Sequence, residues 1–169
     1  LGKKAGLVVF IGDFCKSFIP CLIVNLVGRH FFADTYLLYV LYIGFGAVLG
    51  HNFPFYLNFK GGKGVATTAG TIVGLLSGWM ILILLILFVA TVAVSRYVSL
   101  GSILLMIEFT VLYFIFAING FLCFNPQIAS SKTAMIESMI LVVLFSGLAI
   151  YKHKANILRL KNHEENKLF

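Results

Sequence analysis

Long apolar blocks alternate along this chain with short clusters of glycine, aromatic and charged residues. Within each block apolar residues run in long stretches rather than in the one-sided stripe of a helix that faces a soluble core. The strict alternation of an outer-membrane barrel is absent. The blocks predict helices at residues 5–27, 35–49, 65–76, 79–94, 102–118 and 133–151, with Ser77 and Gly78 turning the third into the fourth. Crossing a bilayer core takes about 20 helical residues, so several of these are short and need protein neighbours or local thinning. Helices are the natural form, because in lipid each backbone N–H must be satisfied within its own segment. The expected fold class is all-α, a polytopic membrane helix bundle of about six spans.

Composition removes the soluble alternative. Hydrophobic residues make up 60% of the 169 and charged residues 11%, against about 25% charged in a soluble domain. Mean hydropathy is +1.01. Charge then sets orientation. Six spans put both chain ends and two connections on one side, with Lys3, Lys4, Lys60, Lys63, Arg96, Lys152, Lys154, Arg159, Lys161 and Lys167; the other side carries Arg29 and Lys132. By the positive-inside rule the loaded side is cytoplasmic. Much of the net +7 is therefore topology signal, and no nucleic-acid partner is expected. The cationic tail, residues 152–167, suits anionic headgroups of membrane lipids. Cys15, Cys21 and Cys123 form no CxxC and read as small apolar residues, neither a disulfide framework nor metal ligands. No signal peptide is visible and position 1 is Leu, as in a fragment.

The informative polar residues gather on the predicted cytoplasmic side. Between spans two and three the chain reads GHNFPFYLNFKGGKGVAT from Gly50 to Thr67, with Lys60, Gly61, Gly62, Lys63 and Gly64 directly before a helix. Glycine lets backbone approach an anion, successive N–H groups form a concave nest, and the helix N-terminus adds its dipole. The GxxxxGK[ST] spacing of a Walker A loop is missing. Alone, this cluster reads as a flexible cationic turn. The aromatic run Phe53, Phe55, Tyr56 and Phe59, suited to headgroup depth, and His51 shift the balance toward a site.

Arg96, Ser99 and Ser102 form a second cluster, phosphate-compatible but equally suited to orienting and capping the fifth span. In the tail, His153, Asn156 and Arg159 recur every three residues and share one helical face, where a histidine and an amide can orient or deprotonate a hydroxyl. Beyond them His163, Glu164 and Glu165 read as a solvated polar tail. Asp13 and Lys16 are one helical turn apart inside span one and read as a structural or site-supporting ion pair. Glu108 and Glu137 lie on different spans, near the outer surface or in the bundle interior; the pattern leaves both open.

Residues 50–67 resemble, almost position for position, the second signature of the bacterial acyl-phosphate:glycerol-3-phosphate acyltransferases, approximately GHxFPxxLxFKGGKGVAT. The likeness continues in Leu1–Gly6 with Asp13 and Lys16, in the RxxSLxS-like Arg96–Ser102, and in His153, Asn156 and Arg159, which match HxxNIxR. Ser17 and Gly101 depart from the residues usual there. The family also carries a preceding span and a first signature of the form GSGNxGATN, which this sequence does not contain.

The resemblance implies seven spans in the complete family fold and a single integral membrane acyltransferase domain over 1–169, N-terminally incomplete. Its site segments would be 50–67, 95–102 and 152–160. It implies transfer of an acyl chain from acyl phosphate to the 1-hydroxyl of sn-glycerol 3-phosphate, giving lysophosphatidate and phosphate, the first step of bacterial phospholipid synthesis. The setting would be a bacterial plasma (inner) membrane, with a functional link to the enzyme that forms acyl phosphate. The assigned roles are catalytic for His153 and Asn156; phosphate-binding for Lys60, Gly61, Gly62, Lys63, Gly64, Arg96, Ser99 and Ser102; and supporting for His51, Asp13, Lys16 and Arg159. An acyl phosphate is already an activated mixed anhydride, so neither cofactor nor metal is called for. Without the first signature the expectation is insertion with little turnover. The alternative from another class is a transporter of an organic phosphate or other anion, since short glycine-broken spans at a charged site also mark transporters; no second internal repeat supports it.

Overall fold

The computed structural model describes residues 2–125 and 127–169, and every regular element among them is helical. In order these are α1 (Lys3–Phe31), α2 (Tyr36–Asn52), a 3-10 turn (Phe55–Leu57), α3 (Val65–Gly74), α4 (Gly78–Ser95), α5 (Val98–Ile118), α6 (Ala129–Lys152) and α7 (Lys154–Lys161). Five of them, α1, α2, α4, α5 and α6, are long and apolar enough to cross a membrane. The protein is a multi-pass membrane helix bundle. Large apolar side chains lie exposed along α1 and α4, among them Phe10, Ile23, Trp79, Leu85 and Val89, which is the surface that lipid solvates. The core lies between α2, α5 and α6, where Leu41, Phe109, Tyr113, Val142 and Phe145 are buried. The Phe45 and Phe145 rings meet across α2 and α6 at 5.2 Å.

Most helices outrun the predicted blocks. Helix α1 continues through Pro20 to Phe31. Helix α2 takes in Gly50, His51 and Asn52, and α5 begins at Val98, so Ser99 is helical rather than in a connection. Polar residues end an apolar block without ending the helix. What stops α4 is Arg96, in the left-handed region at φ 65°.

The third predicted span differs in kind. Helix α3 has ten residues and rises only about 15 Å, half a bilayer core. It can end inside apolar surroundings because α1 supplies the missing donors. Buried Asn25 donates from Nδ2 to the Gly74 and Leu75 carbonyls at 3.1 and 3.0 Å. Gly70 and Gly74 allow the two backbones to meet, since a Cβ on Gly70 would strike the Phe14 carbonyl and one on Gly74 would lie 2.5 Å from the Cys21 Cβ. The Ser17 and Thr71 hydroxyls bond across this interface at 2.7 Å.

Of the two undecided glutamates, Glu137 on α6 accepts a hydrogen bond from the Tyr42 hydroxyl on α2, at the exposed surface. Glu108, half-way along α5, has one carboxyl oxygen buried without a protein partner.

Candidate active site

The lysine-rich ends of α2, α3, α5 and α6 converge, and the site is built on the last turn of α2. That turn leaves carbonyls without intrahelical donors, and the glycine loop fills them. Gly61 N–H donates to the Asn52 carbonyl and Gly62 N–H to the His51 carbonyl, both at 3.2 Å, and Lys152 Nζ adds a bond to the Asn52 carbonyl at 2.8 Å. These two glycine amides were expected to cradle an anion; they are spent on α2 instead. The glycines are needed for closeness, because a Cβ on Gly62 would run into the His51 ring and one on Gly61 into the His51 carbonyl. Gly64 sits at φ +81°, a conformation glycine adopts without strain, with its missing Cβ 2.7 Å from Asn52 Oδ1. The donors still open are the first-turn amides of α3 and the Lys63 ammonium.

Lys63 reaches across the loop. Its Nζ donates to Asn156 Oδ1 at 2.6 Å, Asn156 Nδ2 donates to Glu165 Oε1 at 2.8 Å, and Arg159 Nε donates to Glu165 Oε2 at 2.8 Å. Asn156 is 4% exposed and the Glu165 side chain 8%. Burial alone would raise the Glu165 carboxyl; hydrogen bonds from Asn156 and Arg159 outweigh it and hold the group below the usual carboxylate range. Burial lowers the Lys63 ammonium, opposed by the Glu165 carboxylate and assisted by the Arg159 charge.

His153 lies at the break between α6 and α7 and is buried. Its Nδ1 is 2.7 Å from the Ala149 carbonyl. A carbonyl only accepts, so Nδ1 carries the proton and Nε2 keeps a free lone pair. Burial pushes this imidazole below its ordinary value; the Ala149 contact opposes and the Lys63 charge assists. The ring is therefore neutral at neutral pH and can accept a hydroxyl proton.

A cavity of about 640 Å³ joins Lys63, Gly64, Ser99, Ser102, His153, Asn156 and Glu165, with Gly62, His51 and Asp13 also on its wall. The Ser102 hydroxyl donates to the Val98 carbonyl at 2.9 Å, whereas the buried Ser99 hydroxyl is near the Glu165 carboxylate, which it helps hold ionised, but makes no hydrogen bond of normal length. Across His51 lies a second cavity of about 500 Å³, which takes in Lys16, Gly61 and Tyr56. There Lys16 Nζ lies 2.6 Å from Asp13 Oδ1 and 2.5 Å from His51 Nδ1. An ammonium can only donate, so His51 Nδ1 accepts and its Nε2–H faces Gly62. The triad braces the glycine loop from α1.

Two expected residues stay outside. Lys60 is exposed and lines neither cavity. The Arg96 guanidinium packs over the Phe169 ring at 5.5 Å, and its carbonyl accepts from Leu168 N at 2.8 Å, so it clips the tail to the α4–α5 turn. Arg159 stands at the rim through Glu165. Glu165 corrects the sequence reading, which left it in solvent with His163 and Glu164. Those two are exposed, but the chain reverses at His163, φ 59°, and returns Glu165 to α7. The readable signal was Asn162–His163 directly after a helix, residue types enriched in that left-handed conformation.

A third cavity, about 270 Å³, lies between α3 and α4 and is lined wholly by apolar residues, including Phe10, Ala69, Ile81 and Phe88. It shares Val65 and Ala66 with the polar cavity.

Fold and site together define a membrane helix bundle with a polar cavity around Lys63 and His153 at one end, beside an apolar groove. The family model described as glycerol-3-phosphate acyltransferase matches residues 1–163, and the chain belongs to that family of membrane acyltransferases. Glycerol-3-phosphate acyltransferases of Chlorobium phaeobacteroides and Geobacter sulfurreducens are each 35% identical to it, over 99% of this chain and 77% and 74% of their own length. Two crystal structures of PlsY (YgiH), an integral membrane glycerol 3-phosphate acyltransferase, are similar at 31% identity. The lysophosphatidic acid form has a TM-score of 0.75 over 98% of this chain and 74% of that one; the glycerol 3-phosphate form has 0.76 over 99% and 72%. Membership in an enzyme family sets the transporter alternative aside.

Proposed function

We propose that this protein transfers an acyl chain from acyl phosphate to the 1-hydroxyl of sn-glycerol 3-phosphate, releasing lysophosphatidate and inorganic phosphate. The observation that carries it is the junction at Val65–Ala66, residues shared by the walls of the polar cavity that holds the Lys63 ammonium and of an apolar groove. An acyl phosphate has one anionic end and one hydrocarbon end and fits that junction. The acceptor follows from the family and from the similar structure in its glycerol 3-phosphate form.

The chemistry needs holding and orientation more than activation. Lys63, the first-turn amides of α3 and the Ser99 hydroxyl hold phosphate oxygens; Ser102 lines the same wall. Gly61, Gly62 and Gly64 shape the loop, and Asp13, Lys16 and His51 brace it. His153 Nε2 accepts a hydrogen bond from the attacking hydroxyl, and Asn156 fixes Lys63 against it. The hydroxyl oxygen bonds to the carbonyl carbon, the carbonyl–phosphate oxygen bond breaks, and the electron pair leaves with phosphate. The hydroxyl proton passes to a phosphate oxygen. Bringing both anions to one face gives the rate through proximity and charge stabilisation. The lysine-rich face is placed on the cytoplasmic side of a bacterial plasma membrane, where enzyme-made acyl phosphate and glycerol 3-phosphate are at hand.

The test is phosphate release from an acyl phosphate, measured with and without glycerol 3-phosphate. It is run on the 169 residues and on the same residues fused behind the preceding span and first signature of a family member. Glycerol-3-phosphate-dependent release is expected, and release in the fused form alone would assign part of the phosphate site to that segment. No dependent release in either form overturns the proposal.

A further inference from the structure

Helices α3 and α4 are joined by only Leu75, Leu76 and Ser77, yet each packs chiefly on other helices. Helix α3 lies against α1 and α2, while α4 lies against α5. The two diverge from a shared elbow, and the apolar groove is the gap between them. Residues Ala66, Ala69 and Val73 occupy one face of α3 at helical spacing, opposite Ile81 and Phe88. The groove shares Val65 and Ala66 with the polar cavity, and at its other end its last lining residues on the two helices, Val73 and Ile81, lie two and four positions from the connecting Leu75–Ser77.

The elbow is fixed in place. Leu75 is 3% exposed, and its carbonyl and that of Gly74, the last residue of α3, are held by Asn25 of α1 at 3.0 and 3.1 Å. A hydrocarbon lying along α3 therefore meets covalently continuous, buttressed backbone, and not a side chain free to swing away.

We propose that this elbow is a ruler for the acyl chain of the donor; the inference rests on the acyl-phosphate reading above. The occupant is named by continuity: a donor with its phosphate beside Lys63 has its carbonyl at Val65–Ala66, and its tail enters the groove at once. From Val65 to Leu75 the helix rises about 15 Å. An extended hydrocarbon, with C–C bonds of about 1.5 Å, advances about 1.25 Å per carbon. About twelve carbons reach the elbow, and any further carbons turn sideways into lipid. Ala69 lies about 6 Å and Val73 about 12 Å along the helix from Val65, or about five and ten carbons into the groove.

The experiment measures kcat/KM for acyl phosphates of graded length, from butyryl to hexadecanoyl, in the form that turns over, for wild type, Ala69→Phe and Val73→Phe. Each profile is divided by the butyryl phosphate value of the same sample, which removes any loss from folding or insertion. Overpacking a fitted groove should cut the ratio about tenfold. The cut is expected beyond about five carbons for Ala69→Phe and beyond about ten for Val73→Phe. Losses that set in at the same length in both variants, or profiles matching wild type, overturn the ruler. Wild-type turnover of butyryl phosphate carries the acyl-phosphate reading by itself, so failure of that reading is seen separately, and it takes the ruler with it.

Discussion

Replacing Glu165 by Ala removes one carboxylate and two hydrogen bonds, and the two donors left behind fare differently. Arg159 is 43% exposed and regains water, so losing that exposed pair costs little. Asn156 is 4% exposed, and its Nδ2 loses its partner at 2.8 Å inside the protein. An unsatisfied buried amide costs about 1–3 kcal/mol. Asn156 escapes that cost by rotating, and rotation takes Oδ1 away from Lys63 Nζ, now 2.6 Å away. The penalty thus falls on the organised site, and kcat should drop about five- to 150-fold at 1.4 kcal/mol per decade. Losing a negative charge beside Lys63 and Arg159 favours a phosphate, so KM for acyl phosphate should hold or fall. Glu165→Gln keeps an acceptor for Asn156 and should retain most of kcat. The assay is steady-state turnover in membranes matched for inserted protein. A kcat within twofold of wild type for Glu165→Ala would refute the reasoning and return the residue to a solvated tail.

Lys63→Ala should cut turnover sharply with insertion preserved, and Gly62→Val should do likewise by displacing the His51 ring; near-normal rates in both would demote the loop to a charged turn. Alanine at buried His153 or Asn156 should be damaging and at exposed His163 nearly silent, and equal tolerance at all three would remove the tail from the mechanism. Because burial lowers the His153 pKa, the unfolded chain binds the extra proton first. The stability it contributes is full above about pH 6.5 and is lost as pH falls from there toward the lowered folded value; the gap between the detergent-melting profiles of wild type and His153→Gln should change in that window and be flat above it. The lowered Lys63 pKa predicts that KM for acyl phosphate rises with pH before an ordinary lysine would titrate, and a flat alkaline KM speaks against Lys63 as the phosphate contact. Asn25→Leu should cost about 1–3 kcal/mol for two orphaned carbonyls, read as a lower melting midpoint; an unchanged midpoint would mean α3 ends without help from α1.

Helix existence was legible in the sequence, because an apolar block long enough to cross lipid leaves the backbone no alternative to a helix; of the six expected spans five are long enough to cross and α3 is not, and sidedness rests on the lysine asymmetry alone. The glycine loop and the His153–Asn156 face were legible as well, since each lies within one segment and spacing alone puts its residues together. Three things were decided by tertiary structure. Helix α3 stops half-way because Asn25, some 50 positions earlier in the chain, satisfies its last carbonyls. The Gly61 and Gly62 amides point at α2 rather than at a ligand, because the helix end just before them needs donors more strongly than empty solvent does. Glu165 left the solvent for the site, and Arg96 left the site for Phe169, through one chain reversal at His163. In each case the partner is a polar group on another segment. Local pattern reports what a residue can bond, and only the packed helices determine which unsatisfied group lies within reach.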